Sequence, residues 1–369
     1  MSRFYCTKSA PRVAKSHKKF VSLQIMKILI DQFVPWAVET LAPYAEAVSV
    51  DGRALAPEAV ADADALIVRT RTKCNASLLD GAHNLKFVGT ATIGYDHIDR
   101  DYLASRGVRF TSAAGCNARG VLQWVSAVLA HLSEVQGWTP QSKTLGVVGV
   151  GHVGSLVAEY GRRWGFRVLC SDPPRERAEG LGEAEGFVPL ERLLKESDIV
   201  TLHTPLLREG GNPTLHLADD AFLAQMRDGT TLINASRGEV ADSEALLRHS
   251  GRLTLCLDVW EGEPDNLNLK LLEVAEVATP HIAGYSLQGK ANASAIVIRS
   301  LAHTLGIAEL KEWYPEGIRP SQAREVSWGE MCAQIDDHCH LMEETARMKA
   351  NPFDLEDRRN TYPLREEFF

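Results

Sequence analysis

Short apolar runs alternate with amphipathic segments along most of the chain. Strand-like runs at Lys27–Ile30, Ala65–Val68 and Lys86–Thr90 are separated by segments with helical spacing, such as Pro35–Ala45 and Asp101–Arg106. Strands and helices that follow one another in this way indicate a parallel sheet covered by helices. We therefore predict an α/β fold whose first parallel-sheet unit begins with the first of these runs.

The stretch Thr144–Asp172 begins a second unit. An apolar run leads into Gly149, Gly151 and Gly154, an amphipathic segment follows, and a second apolar run ends just before Asp172. The order strand, glycine turn, helix, strand and acid is typical of a dinucleotide site, where the turn and the helix N-terminus face the pyrophosphate. An acid at this position accepts hydrogen bonds from the ribose and repels a 2′-phosphate, so the sequence favours NAD over NADP.

Polar residues follow the later strand-like runs of the second unit. These runs are Asp198–His203, Thr231–Asn234, Leu253–Val259 and Glu276–Ala278. Arg237, Glu263 and His281 each come after the end of such a run. Ligands of open α/β sheets bind outside the carboxyl ends of the strands, so we expect these three side chains on the same side as the glycine turn.

Composition narrows the class of protein. The chain has 369 residues, 45% of them hydrophobic, and its formal net charge of −8 argues against general nucleic-acid binding. No run of about 18 apolar residues is present, so we expect no membrane span. The seven cysteines form no CxxC pair. An odd, irregularly spaced set favours the reduced cytoplasm over secretion.

The two ends of the chain differ from its middle. Residues 1–26 are basic and contain no acidic residue, and we expect a disordered extension without a catalytic role, either a transit-type leader or the product of an upstream start. After Leu310 the chain becomes polar, with Trp313, Trp328 and a helical stretch from Met331 to Met348. We interpret residues 311–369 as a small appended module for contacts between subunits.

Four motifs, in this order, resemble those of the D-2-hydroxyacid dehydrogenases. They are the glycine turn and the segments Asn234–Gly238, Asp258–Pro264 and Thr279–Gly284. The resemblance covers roughly residues 27–310 and implies two Rossmann-like, doubly wound parallel-sheet domains. It implies a discontinuous substrate-binding domain, 27–117 and 283–310, around an NAD-binding domain at 118–282. A C-terminal dimerisation region, 311–369, would then make the protein a homodimer.

The resemblance also implies the catalytic residues Arg237, Glu263 and His281. Oxidation of a 2-hydroxy acid sends a hydride to nicotinamide and the hydroxyl proton to a base, and histidine exchanges protons near neutrality. Glu263 would orient His281 and favour its imidazolium form. Arg237 would hold the substrate carboxylate with its planar set of donors.

Further positions are predicted to contact NAD or substrate, and no metal ion is expected. For NAD the predicted residues are Gly149, Gly151, His152, Val153, Gly154, Asp172, Thr204, Ala235, Ser236, Arg237, Asp258 and Gly284. For the substrate they are Thr70, Arg71, Thr92 and Tyr285.

Other segments resemble one branch of the family that acts on a phosphorylated 2-hydroxy acid. They include Lys86–Thr92, Ala114–Ala118, Cys170–Arg175 and His281–Ser286. The basic turn Arg69–Lys73 follows a predicted strand, and we interpret it as a phosphate site because arginine matches phosphate well. The alternative is a solvated basic turn.

Two other functions stay open at the level of sequence. One is another member of the family, such as phosphoglycerate dehydrogenase. The other is a non-catalytic, corepressor-like protein that senses NAD. A pure sensor does not need a proton acceptor, so the set Arg237, Glu263 and His281 favours an enzyme.

Overall fold

The computed structural model describes residues 26–369 and contains two parallel sheets. The expected extension at residues 1–26 therefore lies almost entirely outside the described residues. The first sheet has five strands in the order β2-β1-β3-β4-β5. Their bounds are β1 (Lys27–Asp31), β2 (Glu46–Val50), β3 (Ala65–Val68), β4 (Phe87–Thr90) and β5 (Arg109–Ser112).

The second sheet has six strands in the order β11-β10-β9-β8-β6-β7. They are β6 (Thr144–Val148), β7 (Arg167–Ser171), β8 (Ile199–Leu202), β9 (Thr231–Asn234), β10 (Thr254–Leu257) and β11 (Val277–Ala278). All paired strands run parallel, and most strand residues are buried because helices cover the sheets. The predicted doubly wound α/β class is confirmed.

Helices connect the strands. In the first unit they are α1 (Ala37–Leu41), α2 (Pro57–Val60), α3 (Ala76–Leu79) and α4 (Arg100–Ser105). The long α5 (Ala118–Gln136) leads to the second unit, with α6 (His152–Trp164), α7 (Pro173–Glu179), α8 (Leu190–Glu196), α9 (Asp220–Ala224), α10 (Ser243–His249) and α11 (Leu269–Val274). The chain ends with α12 (Leu287–Leu305), α13 (Trp328–Cys339), α14 (Leu341–Ala350) and α15 (Leu355–Thr361). None of the helices within 26–369 is both long and apolar enough to span a bilayer.

Helix α12 packs on the first sheet although it follows the second along the chain. Its residues Ala293, Val297 and Leu301 share a core with Ile28 and Phe87. The discontinuous arrangement that the sequence predicts requires such a return. The exact boundaries of the units stay predictions.

Two predicted helices differ from those in the structure. The stretch Pro35–Ala45 is helical only in α1. The stretch Met331–Met348 is divided between α13 and α14, because His340 has a φ of 46° and ends the first helix in the left-handed region. The break turns the chain so that α14 lies along the edge strand β11, where the Ala278 N–H donates to Thr345 Oγ1 at 3.2 Å.

The C-terminal region packs on the cofactor unit of its own chain. Met331, Ile335 and the final residue Phe369 are buried in one core with α5 and α6. Trp328 stacks on Trp138 with a centroid distance of 6.1 Å. The region therefore has an intramolecular role in the fold, and its part in dimerisation stays a proposal.

Candidate active site

The glycine turn after β6 has the geometry that a dinucleotide needs. Gly149 has a φ of 83°, a conformation that side chains rarely adopt. A Cβ on Gly154 would overlap the carbonyl oxygen of Gly149, whereas a Cβ on Gly151 would point into open space. Helix α6 begins at His152, followed by Val153, so its free N–H groups lie at the turn.

Asp172, directly after β7, forms a hydrogen bond with the glycine turn. Its Oδ2 accepts a hydrogen bond from Val150 N–H at 2.8 Å, and its Oδ1 accepts one from Arg175 N–H at 3.0 Å. The Arg175 guanidinium in turn donates to Ser155 Oγ at 2.8 Å and pairs with Glu179 at 3.0 Å. The carboxylate is half-buried and close to the turn, as a ribose contact requires, and that contact stays a prediction.

The loop after β9 is shaped by Asn234. Its Oδ1 accepts from both the N–H and the hydroxyl of Ser236, and its amide donates to the carbonyl of Arg237. Ala235 is half-buried at the start of this loop.

Beside the glycine turn, the buried hydroxyl of Thr204 has no hydrogen-bond partner within residues 26–369. Such an orphaned group fits a position that is completed by a bound cofactor.

His281 and Glu263 are paired. The ring Nδ1 of His281 is hydrogen-bonded to Glu263 Oε1, and Glu263 Oε2 accepts from Trp260 N–H at 3.2 Å. Burial alone would raise the pKa of Glu263, but the neighbouring His281 and Arg359 hold it below its ordinary value. Glu263 is therefore ionised at neutral pH and leaves Nε2 of His281 for a substrate.

Asp258 builds the turn that carries His281. Its carboxylate accepts from Thr279 Oγ1 at 2.6 Å, Ile282 N–H at 2.8 Å and Ala283 N–H at 2.9 Å. Its carbonyl accepts from His281 N–H at 2.7 Å, and His281 has a φ of 59°. These contacts give Asp258 a structural function, while its predicted contact with nicotinamide stays a prediction.

Arg237 lies where the two units meet. Its guanidinium donates to the carbonyl of Ser236 at 2.8 Å and lies 3.6 Å from Asp96 Oδ2 of the first unit. A Cβ on Gly94 would overlap the guanidinium, and one on Gly238 would overlap the Trp260 carbonyl. The two glycines thus allow the loop after β4 and the segment after β10 to approach Arg237 closely.

Thr92 belongs to a short polar chain that the motifs did not reveal. Its hydroxyl lies 2.7 Å from Thr90 Oγ1, which lies 3.0 Å from His97 Nε2. Burial lowers the pKa of His97 to about 4, so this ring is neutral at physiological pH. The sequence contains no spacing that would have identified His97.

Tyr285 is surrounded by cations, two of which the sequence motifs did not identify. Lys290 Nζ lies 4.5 Å from the ring centroid of Tyr285, and Arg359 Cζ lies 6.0 Å from it. Arg359 comes from α15, far along the chain, and its Nη1 lies 3.7 Å from Glu263 Oε1. Gly284, directly before Tyr285, packs so closely against Asn117 that a Cβ on Gly284 would overlap the Asn117 side-chain amide.

The predicted basic turn lies at the carboxyl end of β3, but one of its cations already has a partner. Arg71 and Arg53 both pair with Glu356 of α15. Thr70 and Arg71 are exposed. The structure therefore places the turn near the C-terminal segment, and its contact with a substrate phosphate stays a prediction.

Arg365 is a further residue that the sequence did not single out. It is buried, and its guanidinium donates to the carbonyls of Gly120, Ile282 and Ala283. Two of these carbonyls belong to the turn directly after His281. The C-terminal region thus supports the catalytic turn by direct hydrogen bonds.

Together these residues can transfer a proton and hold an anion. Arg237, Glu263 and His281 follow β9, β10 and β11, which are neighbours in the sheet. The carboxyl ends of parallel strands lie at one edge, so the three groups occur on the same side as the glycine turn. A base paired with an orienting carboxylate, and an arginine at the same edge of the sheet, suit the oxidation of a hydroxy acid.

Comparison with known proteins agrees with this geometry. The family model described as D-isomer specific 2-hydroxyacid dehydrogenase, NAD binding domain, matches residues 117–283. A solved D-lactate dehydrogenase from Aquifex aeolicus, complexed with NAD and lactic acid, is 27% identical and superposes with a TM-score of 0.62 over 79% of this chain and 100% of its own. The fold and the site thus define a dehydrogenase of this class, as the sequence predicted.

Two curated relatives narrow the class. The erythronate-4-phosphate dehydrogenase of Bacteroides fragilis is 40% identical over 346 residues, which are 93% of this chain and 97% of that relative. The enzyme of the same name from Yersinia pestis (strain Pestoides F) is 45% identical over 284 residues, 76% of this chain and 74% of that relative. The chain belongs to the erythronate-4-phosphate dehydrogenase family.

Proposed function

We propose that this protein oxidises 4-phospho-D-erythronate to 3-hydroxy-2-oxo-4-phosphooxybutanoate with NAD, a step of pyridoxal 5′-phosphate biosynthesis. The names of the relatives support the substrate, and the family model supports NAD. The observation that carries the proposal is the pair of His281 and Glu263, because it provides an oriented proton acceptor at the cofactor edge of the sheet.

Bound NAD would supply the acceptor for the hydride that leaves C2. His281 takes the proton of the C2 hydroxyl at Nε2, since Nδ1 is bonded to Glu263. The electron pair of the O–H bond then forms the carbonyl as the C2–H bond breaks. Glu263 stabilises the imidazolium that results and keeps the ring in one orientation.

Arg237 is proposed to bind the substrate carboxylate and the oxygen on C2. Its guanidinium is planar and matches a carboxylate with two parallel hydrogen bonds. Thr92 and Tyr285 lie on the loops that face this edge, and we propose that they contact the rest of the substrate together with Thr70 and Arg71. Thr204, Ala235, Ser236 and Gly284 would line the cofactor with the glycine turn.

The test is NADH formation by the full-length protein. We would measure kcat/KM with 4-phospho-D-erythronate, D-erythronate and 3-phospho-D-glycerate at saturating NAD. The highest value is expected for 4-phospho-D-erythronate. A higher value for 3-phospho-D-glycerate would favour a phosphoglycerate dehydrogenase. Binding of NAD without turnover of any of these acids would favour a sensor.

We also infer a homodimer in the cytoplasm. The C-terminal region exposes the apolar side chain of Phe353 to 82% and those of Met342 and Leu364 to 38% each, which suits a subunit contact. The six cysteines of the described residues are free, as in a reducing compartment. Sedimentation as a monomer at micromolar concentration would contradict the dimer, and recovery in the extracellular fraction would contradict the compartment.

A further inference from the structure

Two cations from distant segments lie over the ring of Tyr285, and a third is close enough to act on its charge. Lys290 comes from the first turn of α12, Arg359 from α15, and Arg69 from the turn after β3. Lys290 and Arg359 lie over the same tyrosine ring, at 4.5 and 6.0 Å from its centroid. A cluster of this kind has no evident purpose in packing alone, since like charges repel one another.

The cluster has more positive than negative charge. Within residues 26–369, Lys290 forms no ion pair with a carboxylate. Arg359 lies 3.7 Å from the carboxylate of Glu263, which is shared with His281. Burial and the repulsion from Arg69 lower the pKa of Lys290 to about 8. Burial would raise the pKa of Tyr285, but Arg359, Lys290 and Arg69 outweigh it and lower this pKa to about 8.

An anion would relieve this repulsion. Phosphate carries more charge than a carboxylate and accepts several hydrogen bonds, which a lysine, an arginine fork and a tyrosine hydroxyl can provide together. The Nε of Arg359 is buried and has no partner among the described residues, so it is available as a donor. We propose that Lys290 and Arg359, with the hydroxyl of Tyr285, bind the phosphate of the substrate.

This inference rests on the proposed function and assigns its phosphate to residues other than Arg71. Glu356 pairs with both Arg71 and Arg53, and Arg71 is exposed. Lys290 and Arg359 are more enclosed, and Arg359 lies beside Glu263. The phosphate would therefore lie next to the catalytic pair, while Arg237 holds the carboxylate at the other end of the substrate.

Ion pairs fix the position of helix α15, which carries Arg359. Its Glu356 pairs with Arg53 and Arg71 of the first unit. Its Arg358 lies 2.8 Å from the buried Glu344 of α14. These contacts hold the part of the helix that directly precedes Arg359, so the C-terminal region becomes part of the substrate site.

The first experiment compares Lys290→Met with Lys290→Arg in the full-length protein. Loss of a charged hydrogen bond should lower kcat/KM for 4-phospho-D-erythronate by about tenfold to a hundredfold and lower that for D-erythronate by much less. Lys290→Arg should restore most of the preference, because it keeps the charge. Lys195→Met removes the same charge from an exposed position of α8 and should change neither value. Thermal unfolding of each variant shows whether it is folded.

Arg359→Gln tests the other cation from a different element. This variant should also weaken the preference for the phosphorylated acid. The kcat/KM for D-erythronate should fall as well, because Arg359 lies 3.7 Å from Glu263. Arg248→Gln, which removes an exposed guanidinium from α10, is the matched control. A folded Lys290→Met or Arg359→Gln that keeps the full preference would overturn the proposal.

Binding of inorganic phosphate tests the anion site separately from the proposed oxidation of 4-phospho-D-erythronate. Phosphate should bind the wild type, measured by calorimetry in the presence of NAD, and bind at least about tenfold more weakly to Lys290→Met. If 4-phospho-D-erythronate were not oxidised but this loss occurred, the anion site would stand and the substrate assignment would fall. If oxidation occurred but phosphate bound both proteins equally, the anion site would fall and the function would stand.

Discussion

The cofactor side and the phosphate side of the active site are built in different ways. The centre of the cofactor side is one continuous stretch, in which Gly149, Gly151 and Gly154 shape a turn and Asp172 follows the next strand. The phosphate side is formed by single side chains from distant segments, with Lys290 on α12 and Arg359 near the end of the chain. One side depends on backbone conformation, and the other on the meeting of charges in three dimensions.

The two sides should differ in how they tolerate substitutions. A backbone-built site tolerates a side-chain change if the glycines remain, whereas a site built from separate charges loses affinity with each charge that is removed. The pair of His281 and Glu263 belongs to neither side and is proposed to take the proton of the substrate hydroxyl. Changes at this pair should therefore have the largest effect.

His281→Ala should lower kcat by about a hundredfold to ten-thousandfold, the contribution of a positioned general base. NAD should still bind with its normal affinity, because the histidine is not part of the glycine turn. His131→Ala is a matched control, since His131 also pairs with a carboxylate, Glu276, at 3.0 Å but lies elsewhere. Near-normal kcat in His281→Ala would exclude this histidine as the base.

The cofactor side can be tested through Asp172. The wild type should use NAD at least about tenfold better than NADP in kcat/KM, because the carboxylate repels a 2′-phosphate and charged hydrogen bonds are lost. Asp172→Asn should narrow this difference, since the amide oxygen can still accept a backbone hydrogen bond but carries no charge. Equal use of the two cofactors by the wild type would show that Asp172 does not select the ribose.

The strand, glycine turn and helix of the cofactor unit could be predicted from sequence for a physical reason. The turn, the helix and the acid are adjacent in sequence, and each residue type is required by local backbone geometry. Arg237, Glu263 and His281 could also be proposed from sequence, since each lies in a contiguous motif at a strand end, and their catalytic roles stay predictions. Lys290 and Arg359 were missed because their role depends on the position of α15, which no local pattern reports.

The C-terminal region was interpreted from its polarity, and the structure gives it a larger role. Its apolar residues are few, but Met331 and Phe369 complete the core beneath α5 and α6. Its buried Arg365 donates to the carbonyls of the catalytic turn. Such contacts join positions far apart in the sequence, so the composition of the region alone could not have predicted them.

Glu263→Gln should lower kcat less than His281→Ala does, on the order of tenfold to a hundredfold. The Glu263 carboxylate is ionised, because His281 and Arg359 keep its pKa below the ordinary value despite burial. Without this negative charge the imidazolium is less favoured, so the rise of the oxidation rate with pH should shift to lower pH. An unshifted profile would mean that the pair does not form in solution.

The preference for the phosphorylated acid should also depend on pH. The pKa of Lys290 is about 8, lowered by burial and Arg69, and that of Tyr285 is also about 8. Above this pH Lys290 loses its charge and Tyr285 gains a negative one, so the preference for the phosphorylated acid should fall by up to about tenfold per pH unit for each group. The groups that act on Lys290 are Arg69, Tyr285, Cys116, Arg359 and Asp31.

Lys290→Arg separates the two titrations. Its guanidinium stays charged, so only the tyrosine should titrate and the fall in preference should be smaller. The ratio of kcat/KM for 4-phospho-D-erythronate to that for D-erythronate, measured from pH 7 to pH 9, checks this. A ratio independent of pH in the wild type would contradict the role of both groups.

Isotope transfer tests the central claim most directly. We would incubate the protein with NAD and 4-phospho-D-erythronate that carries deuterium at C2, and analyse the products by NMR. The account predicts that the deuterium appears on C4 of the nicotinamide ring of NADH and that a carbonyl forms at C2. Deuterium released to water, or retained in a product while NADH is formed, would contradict hydride transfer from C2.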